Sequence, residues 1–75
     1  MTPVEIVRDY LRGQRPELPD IDVDFDLIEN RVLDSLRFID FLYFLEQRTG
    51  REIALEDVAP EDFRTIHAIT TRFFQ

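Results

Sequence analysis

The chain has 75 residues, 44% hydrophobic and 12% aromatic, with a formal net charge of −7 and no cysteine. That length holds a single domain, 1–75, and a domain of this size buries only about 60% of the surface its unfolded chain exposes, so one compact core is the most it can build. The acidic balance argues against nucleic acid, where phosphate neutralisation dominates affinity, and the lack of cysteine excludes a disulfide framework, a thiolate nucleophile and cysteine-based metal sites.

An excess of acid favours partners with basic surfaces, which an acidic protein meets faster through electrostatic steering. The longest apolar run is far short of the roughly 20 residues that cross a bilayer. The first residues carry acids rather than the basic segment of a secretory signal. A cytoplasmic monomer that does not enter a membrane is expected, and a small domain without disulfides suits that compartment.

Taken in order, the chain opens with Thr2-Pro3-Val4-Glu5, which reads as a helix start. Thr2 can cap, Pro3 suits the first helical position and Glu5 completes a capping box. Val4, Val7 and Leu11 follow at helical spacing, flanked by Ile6 and Tyr10, and Gly13 offers a stop before Pro16, so a first helix is predicted over about 3–13. Residues 14–33 are long for a connection in so small a domain. Within them Ile21, Val23, Phe25 and Leu27 alternate with Asp20, Asp22, Asp24 and Asp26. Strict alternation is a strand signal, but the chain offers no partner strand and a lone strand is not stable. An extended loop with its apolar side across the core is predicted. A calcium loop would need glycine where Phe25 stands and glutamate where Arg31 stands, so the acids are not read as one.

A second helix is predicted from Ser35 to Thr49, with Gly50 as its stop. Steps of 100° separate two apolar arcs on it. Phe38, Phe41, Leu42 and Leu45 form the denser arc, assigned to the core. Leu36, Ile39 and Tyr43 form another, bordered by Asp40, Glu46 and Gln47. More core contact would explain that second arc. A partner-docking strip of Leu36, Ile39, Asp40, Tyr43 and Glu46 explains it too, and the acidic charge favours docking. Beyond Gly50, Ile53 and Leu55 are expected to tuck inward, Pro60 to open a short helical turn over Glu61–Phe63, and Thr65 to cap a last helix buried through Ile66, Ile69 and Phe73. His67, the only histidine, lies off that stripe and reads as a solvated side chain.

A serine hydrolase would need Ser35, His67 and a carboxylate to converge with an oxyanion hole. No G-x-S-x-G elbow surrounds Ser35 and little room is left for a substrate pocket, so the protein is not expected to be an enzyme. Simple capping explains Asp34-Ser35 taken alone, since both residue types favour the N-cap.

Set in their context, Asp26-Leu27-Ile28-Glu29, Val32-Leu33-Asp34-Ser35-Leu36 and Phe44-Leu45-Glu46 closely resemble the stand-alone carrier proteins of the acyl carrier family. The resemblance runs over the whole chain, from its length and charge to the long loop and the serine at the head of the second helix. It implies an all-α, small four-helix bundle with a long loop between helices 1 and 2 and a short third helix. It also implies that a phosphopantetheinyl transferase attaches 4′-phosphopantetheine from coenzyme A to Ser35, with Asp34 supporting arm transfer. The arm's thiol would be the only one on the protein and would hold cargo as a thioester. An acyl- or aminoacyl-loading ligase and downstream synthases or transferases would then be the partners. A phosphate at a helix N-terminus would meet unpaired N–H groups and the positive end of the dipole.

This chain departs from the fatty-acid carriers at two places. Arg37 stands where many have an acid or a small residue, and Phe38 where a small residue commonly flanks the acyl cavity. With Phe41 and Phe44 close by, that ring argues against deep sequestration of a long chain. A specialised pathway with a short or polar cargo is expected. An aminoacyl or peptidyl carrier of nonribosomal synthesis is the nearest alternative, and a helical interaction module in which Ser35 only caps a helix the more distant one.

Overall fold

The computed structural model describes residues 2–18 and 20–74 of the chain. Among them are three α-helices, α1 (Pro3–Gln14), α2 (Ser35–Thr49) and α3 (Ile66–Phe73), two 3-10 turns and no strand. No helix there is long and apolar enough to cross a membrane.

Helix α1 begins as its sequence dictates. The Thr2 hydroxyl accepts from the Glu5 N–H at 3.2 Å, and the Glu5 carboxylate accepts from the Thr2 N–H at 3.4 Å. Two otherwise orphaned donors are thereby satisfied reciprocally. The helix runs past Gly13 to Gln14, and Arg15 still donates its N–H to the Leu11 carbonyl. Pro16, rather than the glycine, ends it, because proline has no N–H to offer the next rung. Helix α2 ends at Gly50, whose φ of 71° takes the left-handed conformation that closes a helix without a Cβ penalty.

The core draws on every part of the chain. Val7 and Leu11 of α1, Phe41, Leu42 and Leu45 of α2, and Ile66, Ile69 and Phe73 of α3 are buried, and among the described residues no polar side chain is buried with them. An aromatic series joins the elements. Tyr10 stacks on Phe44 at 4.1 Å between ring centroids, Phe41 lies 6.3 Å from Phe63, and Phe63 lies 5.2 Å from Phe73. Offset and edge-on pairs at these separations add about 0.5–1.5 kcal/mol each beyond the area they bury.

The long loop follows its alternation. Ile21 and Leu27 are buried and Val23 and Phe25 half-buried, whereas Asp22 and Asp24 face outward. In place of a partner strand, isolated bonds to the α3 region hold it. The Leu27 N–H donates to the Arg64 carbonyl at 2.6 Å, and the Val23 carbonyl accepts from the His67 N–H at 3.0 Å. The Asp26 carboxylate accepts from the Ile28 and Glu29 N–H groups and pairs with Arg64 at 3.1 Å.

Between α2 and α3 the short helical turn expected over Glu61–Phe63 is present, but the third α-helix that the resemblance implies is not, so the described residues hold three α-helices rather than four. Leu55–Asp57 and Pro60–Phe63 each form a 3-10 turn, separated by the extended Val58 and Ala59. Segments of three and four residues cannot close successive i→i+4 bonds, so the tighter i→i+3 pattern wins. Leu55 also departs from expectation. It is 57% exposed rather than tucked inward, while Ile53 is half-buried as predicted.

Candidate functional site

The head of α2 assigns separate tasks to Asp34 and Ser35. Asp34 is the extended N-cap, and its Oδ1 accepts from the Leu36 N–H at 3.1 Å and the Arg37 N–H at 2.9 Å. Its Oδ2 pairs with the Arg37 guanidinium at 2.8 Å. Ser35 is the first helical residue and is exposed. Two of the N–H groups that the sequence offers to a phosphate are therefore already taken by Asp34. What Ser35 retains is its place at the positive end of a 15-residue helix.

The Arg37 backbone N–H, with the Arg37 guanidinium and the Leu36 N–H, holds the Asp34 carboxyl below its ordinary value against the opposing effect of desolvation. A depressed carboxyl stabilises the fold above its unfolded-state pKa and loses that contribution as pH falls through its folded-state value. Asp34→Asn keeps a good capping side chain and removes the charge. The variant should therefore unfold at lower urea than the wild type at neutral pH, and the gap should close as pH falls below the ordinary aspartate range, near 3.8. A gap independent of pH would place the effect in packing instead.

Beside Ser35 opens a groove of about 740 Å³. Its walls come from Ile28, Leu33 and Phe38 on one segment of chain and from Leu55, Val58, Pro60 and Phe63 on the next, and Asp34, Ser35 and Arg31 line it as well. This lies within the roughly 300–1,000 Å³ of small-molecule sites. Phe38 packs edge-on against Phe63, with centroids 4.8 Å apart and planes at 85°. The ring forms part of the wall of an open apolar groove, and apolar room remains next to the serine.

Arg31 was not visible as a site residue in the sequence. Its φ of 59° is the one positive value among the described non-glycine residues. The left-handed region is disfavoured for a residue with a Cβ by about 1–2 kcal/mol. Two contacts hold it there, the Arg31 N–H on the Ile28 carbonyl and the Arg15 guanidinium on the Arg31 carbonyl at 3.0 Å. Asn30, the neighbour better suited to such a conformation, instead donates its side-chain amide to the Asp26 carbonyl.

The second apolar arc of α2 is on the surface. Leu36 is 85% exposed, Ile39 56% and Tyr43 64%, so the reading of this arc as further core is excluded. Asp40 is exposed beside them. Glu46 differs, because it is half-buried and its Oε2 accepts from the Ile53 N–H at 2.8 Å, tying the end of α2 to the segment that forms the groove's far wall. Exposed residues without special contacts change stability by no more than about 0.5 kcal/mol when replaced. Tyr43→Ala should accordingly leave the thermal midpoint close to wild type, and a large drop would return this arc to the core.

His67 is exposed and does not line the groove. No group of three or more histidine, aspartate or glutamate side chains among the described residues could hold a metal ion. The loop acids have other tasks. Asp20 pairs with Arg12 at 2.9 Å, Asp22 accepts from the Asp24 N–H at 2.9 Å, and Asp26 is engaged as above. Compared with protein-family models, curated proteins and solved structures, the chain matches none.

Proposed function

We propose that the protein is a carrier in which Ser35 bears a 4′-phosphopantetheine arm and which presents an acyl-type cargo to partner enzymes without catalysing a reaction itself. One observation carries this reading. Ser35 is exposed at the head of α2 on the lip of an apolar groove, and neither capping nor packing needs it, because Asp34 makes the cap. That arrangement also weighs against a plain interaction module in which Ser35 caps the helix.

The site suits the group. The hydroxyl is accessible to a transferase, the helix dipole favours an anion there, and the groove supplies apolar surface next to the attachment point. The order α1, long loop, α2, 60–63 turn, α3 supports a carrier-type bundle in which the turn stands for the short third helix. In attachment, the Ser35 Oγ attacks the phosphorus that bears pantetheine in coenzyme A. The Oγ–P bond forms, the pyrophosphate bridge breaks, adenosine 3′,5′-bisphosphate leaves with the bonding electron pair, and the hydroxyl proton passes to the transferase or to water. Once bound, the arm supplies a thiol that holds cargo as a thioester, which the chain itself cannot do without cysteine.

Asp34 supports arm transfer from its capped position, and Leu36, Ile39, Asp40 and Tyr43 provide the docking strip. Glu46 belongs to that strip only at its edge, since its carboxylate is committed to Ile53. The apolar groove favours an acyl cargo over an amino acid, and the departures from the fatty-acid carriers at Arg37 and Phe38 favour a specialised pathway.

The test is intact mass after incubation with coenzyme A and a broad-specificity phosphopantetheinyl transferase. Wild type should gain one phosphopantetheinyl group and Ser35→Ala none. A wild type that stays unmodified while a control carrier is converted would remove the proposal. Loading with acyl-ligating and amino-acid-activating enzymes would then separate the acyl reading from the aminoacyl or peptidyl one.

A further inference from the structure

The groove beside Ser35 is lined by two charged residues that differ in how they are engaged. Asp34 is held by two backbone N–H groups and by Arg37. Among the described residues Arg31, like Arg8, Arg48 and Arg51, has no carboxylate within ion-pair distance, and it is the one arginine that lines the groove. Its backbone is nevertheless fixed, in a conformation unusual for a residue with a side chain, by bonds from both of its peptide groups. A disfavoured conformation that its surroundings hold in place is a reason to ask what the residue is positioned for.

An occupant of this groove joined to Ser35 must be anionic near the serine and apolar further along. A simple acyl chain would use the Phe38, Leu55 and Pro60 surfaces and leave the guanidinium without a counterpart. A phosphodiester on the Ser35 Oγ, followed by a branched hydrocarbon segment, meets both demands. It would also place negative charge close to Asp34, whose own cation, Arg37, is already paired. Arg31 is the remaining cation lining the same groove.

We propose that the groove seats the phosphopantetheine arm itself, with Arg31 as the positioning residue for its phosphodiester and the apolar wall receiving its geminal methyl groups. This rests on the carrier reading above. A charge-assisted contact to a phosphate oxygen is about twice as strong as a neutral hydrogen bond, so removal of the guanidinium should release much of the arm into solvent.

The experiment uses protein modified with isotope-labelled pantetheine and read by nuclear Overhauser contacts from the arm's methyl groups. Cross-peaks to Phe38 and Leu55 are expected in the wild type and should fall several-fold in Arg31→Asn, a replacement that tolerates the left-handed backbone. Arg31→Lys should keep a substantial part of them. Well-dispersed amide spectra of both variants establish that they fold. If the wild type gains the arm and its methyl groups contact no groove residue, this inference fails and the carrier reading stands. If contacts are present and Arg31→Asn retains them in full, the role of Arg31 fails. If no arm is gained, both fail.

Discussion

Phe41→Ala is expected to remove a large share of the fold's stability and to lower the urea midpoint more than any other single truncation. Truncating a buried phenylalanine costs about 3–5 kcal/mol through lost transfer energy and the cavity left behind. At roughly 0.05–0.15 kcal/mol per residue, a chain of this length has about 4–11 kcal/mol of total stability. Phe41 is fully buried and lies at the junction of the aromatic series, with its ring 5.7 Å from Tyr10, 6.0 Å from Phe44 and 6.3 Å from Phe63. Its loss therefore loosens α1, α2 and the 60–63 turn together, and little repacking is open to a core with so few layers. Urea unfolding followed by far-ultraviolet circular dichroism checks this, and a midpoint near that of the wild type would mean that α2 is not seated as described.

Leu27→Ala should be the next most damaging change, by about 2–5 kcal/mol. Such a cost is unusual for a residue outside regular structure. Leu27 is fully buried, however, and its backbone anchors both sides of the loop, donating to the Arg64 carbonyl and accepting from the Val32 and Leu33 N–H groups. Alanine keeps those backbone bonds, so the change isolates the side chain. Replacing the outward-facing Asp24 should leave the unfolding midpoint almost unmoved. Equal effects at the two positions would show that the loop does not cover the core.

Features governed by neighbours along the chain were legible before the structure. The Thr2–Glu5 capping box, the span of α2 and its Gly50 stop, the Thr65 cap on Ala68 and the inward side of the acidic loop all follow from local bonding or from spacing. The two arcs of α2 were separable by periodicity, yet their fates were not, because an apolar arc is buried only if another element reaches it. Leu55 was misjudged for the same reason. Arg31 was not legible as a site residue, and Glu46 was legible as part of the strip but not as the tie to Ile53. Their roles depend on partners 16 and seven residues away, the Arg15 guanidinium and the Ile53 N–H, which no pattern of residue types encodes. The turn at 60–63 was legible from Pro60, but the groove that it walls was not, because it depends on how that turn faces Phe38 and Leu33.

The stacking of Tyr10 on Phe44 has a spectroscopic consequence. The chain has no tryptophan and two tyrosines, so its near-ultraviolet signal divides between one ring packed against α2 and one ring on the exposed strip. Burial, aided by the Asp40 charge, pushes the Tyr10 phenol above its ordinary value, so this ring resists ionisation when alkali is added. Tyr43→Phe would leave a chromophore that reports on the interior alone, and Tyr10→Phe one that reports on whatever approaches Ile39. Folding and docking could then be followed separately in the same protein, without an attached dye.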